Sequence, residues 1–98
     1  MVPTTLPEKL PAYDTAAGLR QFVRSASPQQ ACVYHIGSLA HDADPQASRI
    51  GHDKRMELIA LRDAAATLQD RGIVDLVQRR IGGGWEYIAI RSSAKAAA

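Results

Sequence analysis

A chain of 98 residues, 46% hydrophobic and 22% charged, is bounded to one small globular domain, and that balance excludes a disordered polymer. A single cysteine, Cys32, excludes an internal disulfide and favours a cytosolic setting. No apolar run approaches the roughly 20 residues needed to span a bilayer, and MVPTTLPEKLPAYD lacks the order of a secretory signal, so a cytoplasmic protein without membrane contact is expected.

The net charge is only +2, but it is uneven: residues 1–53 carry four basic and five acidic residues, and residues 54–98 carry eight basic and five acidic. A basic C-terminal half is compatible with nucleic acid and equally with an acidic protein partner.

Pro3, Pro7 and Pro11 break up the first residues, which predicts an extended arm over 1–13. Asp14 or Thr15 then offers an N-cap, and Leu19, Phe22, Val23 and Ala26 follow at the spacing of one helical stripe. Ser27–Pro28 stops that helix, because a residue before proline avoids helical geometry. Cys32 to Ile36 reads as a short strand ended by Gly37, and Ser38 is placed to cap a brief helix reaching about Asp44. Residues 44–53 read as a loop carrying Pro45 and Gly51.

A long helix is expected from about Asp53, as N-cap, to Arg71, with Leu58, Leu61, Ala65 and Leu68 as its buried stripe and Gly72 as its stop. The stretch IVDLVQRRIGGGWEYIAIR reads as a β-hairpin. With Gly82, Gly83 and Gly84 all in the loop, Asp75 faces Arg91 and Arg80 faces Glu86, two opposite-charge pairs. That register turns Val74, Leu76, Ile88 and Ile90 inward and leaves Arg79, Ile81, Trp85 and Tyr87 outside. One core is therefore expected, in which Leu58, Leu61, Leu68, Leu76, Ile88 and Ile90 join Leu19, Phe22 and Val23. It is small because much of the hydrophobic content is alanine, and with two aromatics left outside, a homodimer is expected. Residues 92–98 read as a disordered tail, leaving 14–91 as the domain.

The order helix, short strand, short helix, long helix, hairpin resembles a winged-helix domain, an α+β fold. The local likeness is carried by LRDAAATLQDRGIVDLVQRRIGGGWEYIAIR, which is similar to the recognition-helix-to-wing segment of that superfamily. The segment between Ala40 and Asp53 is longer than the turn of about 3–4 residues that usually joins the central helices. The resemblance implies a small regulator of bacterial or phage type that binds double-stranded DNA. Arg49, Lys54, Arg55 and Arg62 would serve the long helix in the major groove, and Arg79, Arg80 and Trp85 would serve the wing. The alternative is a protein-binding module on the same scaffold, such as a phage-encoded inhibitor or an accessory subunit, with Trp85 and Tyr87 as an apolar contact patch.

Other constellations carry less. His41, Asp42, Asp44, His52 and Asp53 cluster around the loop, but their spacing does not set two ligands on one helix face, so no metal is expected. Cys32 and His35 fall on opposite faces of a regular strand, which excludes a nucleophile–base pair. GGGW joins two strands and is not followed by a helix, unlike a phosphate loop. Neither a cofactor nor an enzymatic activity is expected.

Overall fold

Thr15 opens the first helix: its side-chain oxygen accepts the Gly18 N–H at 3.0 Å, and helix α1 runs Ala16–Ser25. The structure is a computed structural model that describes residues 9–44, 46 and 51–92. Arg49, most of the loop after Asp44, the arm before Lys9 and the tail after Ser92 lie outside the described residues.

α1 buries Leu19, Phe22 and Val23 and leaves helical geometry at Ala26, just ahead of Ser27–Pro28. Strand β1 follows over Ala31–Gly37, the short helix α2 over Leu39–Ala43 and the long helix α3 over His52–Asp70. The hairpin comprises β2, Val74–Ile81, and β3, Gly84–Arg91. Three helices thus pack on a three-stranded antiparallel sheet of order β1–β3–β2, a small α+β domain in the expected element order.

The N-cap of α3 lies two residues earlier than the sequence suggests. Gly51 takes the N-cap position without a side-chain cap, and Asp53 lies in the first turn, where its charge suits the helix dipole. At the other end Gly72 has φ +75°, its N–H bonds to the Gln69 carbonyl and the Ile73 N–H reaches Leu68, each at 2.9 Å. That reciprocal closure needs a left-handed residue after the cap, which glycine supplies without a Cβ clash.

The hairpin register differs by one from the expected one. Only Gly82 and Gly83 form the turn, while Gly84 pairs with Ile81 as part of β3. Of the two turn glycines only Gly83 takes a positive φ, +95°, a conformation that glycine adopts at little steric cost. Asp75 therefore faces Ile90 rather than Arg91, and Arg79 rather than Arg80 faces Glu86. β2 keeps its expected face, but β3 is turned over, the consequence of any one-residue slip.

Two cores result instead of one. On the helix side Leu19, Phe22, Val23, Leu58 and Leu61 pack with Cys32, Val74 and Ala89, while Leu68, Leu76 and Tyr87 close the margin. On the opposite side Ala31, Val33, Ile88 and Ile90 form a second cluster with Leu10 of the arm and Val77. The arm holds that position through β1, because Val33 N–H donates to the Pro11 carbonyl and Tyr13 N–H to the Val33 carbonyl, at 2.8 and 2.9 Å.

Candidate nucleic-acid interface

On α3, Arg55, Ile59, Arg62 and Ala66 succeed one another at spacings of four, three and four and so share one face. Arg62 and Ala66 line a shallow groove whose far wall is Leu76, Gln78 and Tyr87. Arg80 stands two residues beyond Gln78 on the same face of β2, paired with Trp85 across the hairpin. The Arg80 guanidinium lies over the indole, 5.2 Å from its centroid, a cation–π contact that steers the charge without neutralising it. Arg62 thus faces the groove between α3 and the hairpin, and Arg80 and Trp85 stand farther along the same sheet face.

The remaining candidates lie elsewhere. Arg79 emerges on the opposite sheet face, where its Nε donates to Glu86 Oε1 at 2.8 Å. Lys54 borders a separate cleft with Asp14, Tyr34, His35 and Glu57. Arg49 lies outside the described residues. Arg62 reaches Asp63 at 3.4 Å with both side chains largely exposed, so that pair is weakly held. Arg55 Nη2 lies 3.5 Å from His52 Nδ1, at the outer limit of a hydrogen bond.

No family model matches the chain, and no curated protein or solved structure matches it. The chemistry of the chain must therefore be read from its own side chains.

A second polar cluster joins β1 to α2. Cross-strand partners share a face, and a register shift between Val33 and His35 sets His35 opposite Tyr87, on the helix side with Cys32. The regular strand expected from the sequence would put the two on opposite faces; the bulge overturns that. His35 Nε2 lies 2.8 Å from Asp42 Oδ2, and because a carboxylate only accepts, Nε2 carries the proton. His41 Nδ1 stands 3.5 Å from the other carboxylate oxygen. Burial alone would raise the Asp42 carboxyl, but the hydrogen bonds from His35 and His41, the charge of His35 and the Ser38 backbone together hold it below its ordinary value. A Cβ at Gly37 would meet Asp42 Oδ2 at 2.8 Å, so the approach of that carboxylate depends on glycine there.

Cys32 is fully buried, and burial pushes its thiol up to about 12, which makes it a core residue rather than a nucleophile. Among the described residues no three histidine, cysteine or acidic side chains are grouped to hold a metal ion. Nor is any helix among them long and apolar enough to cross a membrane.

Tyr87, expected on the outer surface, packs inward against Tyr34 and His35, with ring centroids 6.2 and 5.8 Å away. Its position and the His35–Asp42 pair escape sequence reading because both depend on the hairpin register and the bulge. Among the described residues the exposed large hydrophobic ones are instead Ile36 and Met56.

Proposed function

We propose that this domain binds double-stranded DNA in the manner of a winged helix and acts as a small transcriptional regulator of bacterial or phage type, without catalysis. The observation that carries the reading is Arg62 of α3 in the groove beside Leu76, Gln78 and Tyr87, with Arg80 over Trp85 farther along the same face of the sheet. A helix flanked by a hairpin of the same sign of charge offers one element to a groove and the other to the backbone beside it. The first turns of α3, with His52 and Arg55, would face the major groove, while Lys54 borders the separate cleft beside Glu57. Asp63 and Asp70 charge the later part of the helix and would stay clear of phosphate. Arg80, steadied by Trp85, would meet phosphate or the minor groove. A homodimer would present two such surfaces to a palindromic site.

Binding to random-sequence duplex DNA across a salt series tests this. The logarithm of affinity should fall linearly with the logarithm of salt, at about 0.9 per phosphate neutralised. Absence of binding at low salt would overturn the reading. The protein-binding alternative loses Tyr87 from its expected patch and rests instead on exposed Met56 on α3 and Ile36 on β1.

A further inference from the structure

The two edges of the sheet are treated differently. The outer edge of β1 is occupied by the arm at Val33 and distorted by the bulge that follows. The outer edge of β2 has no described segment paired with it. β2 is eight residues long, pairs with β3 without a shift and contains neither proline nor lysine. Edge strands usually deter other chains with short length, bulges, proline or charge; of these β2 has only charge, at Asp75, Arg79 and Arg80. Ile81 and Gly84 close the two-residue turn and so form a bonded pair, from which the alternation runs back along β2. The backbone groups of Val74, Leu76, Gln78 and Arg80 therefore point to the free edge.

We propose that this edge is a self-complementary interface, at which β2 pairs antiparallel with β2 of a second copy about a two-fold axis through Val77. In this register Asp75 faces the partner's Arg79, and the symmetry repeats the pair on the other side of the axis. An axis at Asp75 or at Arg79 would set like charges opposite each other, and one at Leu76 or Gln78 would set Asp75 against an aliphatic residue. Only the axis at Val77 matches charge with charge. It also extends the outer-face row Val33–Ile88–Val77 through the partner's Val77 and onward, one aliphatic row across six strands. Arg79 then stands between Glu86 of its own chain and the partner's Asp75. The inference rests on the homodimer reading above and is independent of DNA.

The test joins sedimentation with cysteine cross-linking. At the axis two Val77 positions would face each other as a non-bonded pair with Cα atoms about 4.5 Å apart, within disulfide range. Val77→Cys should therefore give a covalent, reductant-sensitive dimer under mild oxidation. Ile81→Cys should not, because its two copies would lie about 27 Å apart along the strands. Buried Cys32 does not compete. Gln78→Pro removes an outward N–H that β3 does not use, and should weaken dimerisation by about tenfold or more. Should that variant fail to fold, the cysteine comparison decides alone. A wild-type dimer in which Val77→Cys cross-links no faster than Ile81→Cys would overturn the interface while leaving the homodimer standing. A wild-type monomer at high micromolar concentration would overturn both.

Discussion

The hydroxyl of Tyr87 accepts the backbone N–H of Leu39 at 2.9 Å, so β3 supplies the cap for α2 that Ser38 does not. The first N–H groups of a helix have no intrahelical partner, and this one is partly buried. Tyr87→Phe keeps the ring between Tyr34 and His35 and removes only the acceptor. It should cost about 1 kcal/mol in urea denaturation, or a fall of about 4–8 °C in Tm for a domain of this size. An unchanged midpoint would mean that water replaces the hydroxyl and that α2 does not depend on β3.

Asp42 gives the fold an acid-sensitive joint. Its carboxyl is held below the ordinary value of 3.8, so the folded state binds its proton less readily than the unfolded state does. The stabilisation is complete above that ordinary value and is lost as the pH falls through it towards the lower folded one. Wild type should therefore lose stability more steeply below about pH 4 than Asp42→Asn, which cannot titrate there. Denaturant midpoints between neutral and acid pH measure this, and parallel curves for the two proteins would remove Asp42 from the acid response.

Leu61 is fully buried between α3 and the sheet, and Leu61→Ala should cost about 2–5 kcal/mol. Leu68→Ala should cost less, because Leu68 is only partly buried at the margin of the same cluster. Ile88 belongs to the cluster on the opposite face, so Ile88→Val should cost about 0.5–1.5 kcal/mol. The Leu61→Ala and Ile88→Val losses should add within about 0.5 kcal/mol, since the sites share no cluster. Strong coupling between them in a double-mutant cycle would mean one core rather than two.

The helices were legible in the sequence because their signals are local. Thr15 and the Leu19–Phe22–Val23 stripe, and Leu58, Leu61 and Ala65 followed by Gly72, mark starts, faces and stops within a few residues of each other. The hairpin was legible as an element but not in register, since three consecutive glycines leave the loop length open and the Asp75–Arg91 match favoured the wrong choice. Burial decides it: the apolar cover from Leu10 over Ile88 and Ile90 outweighs one surface ion pair. Arg91 instead packs by Val74 and donates to the Ile73 carbonyl at 3.1 Å. Of the candidate DNA-binding set, Arg79 and Arg80 keep the opposite faces that adjacent strand residues take, whereas Trp85 changes side with β3.

That separation sets the final prediction, which divides DNA binding among the arginines. Arg62 faces the groove between α3 and the hairpin and Arg80 lies farther along the same sheet face, whereas Arg79 is tied to Glu86 on the other face. If the proposed reading holds, Arg62→Ala and Arg80→Ala should each lower the salt slope of binding by about 0.9, the loss of one phosphate contact. They should weaken all sequences alike. Arg55→Ala, in the first turns of α3, should relax discrimination at one base position by about 1–3 kcal/mol if it reads a base edge. Trp85→Ala should act in the same direction as Arg80→Ala but less strongly, because it frees the guanidinium rather than removing it. Arg79→Ala is the internal control and should leave the slope unchanged. Anisotropy titrations at several salt concentrations separate these outcomes. A slope that falls for Arg79→Ala and not for Arg80→Ala would place the DNA on the opposite face of the sheet.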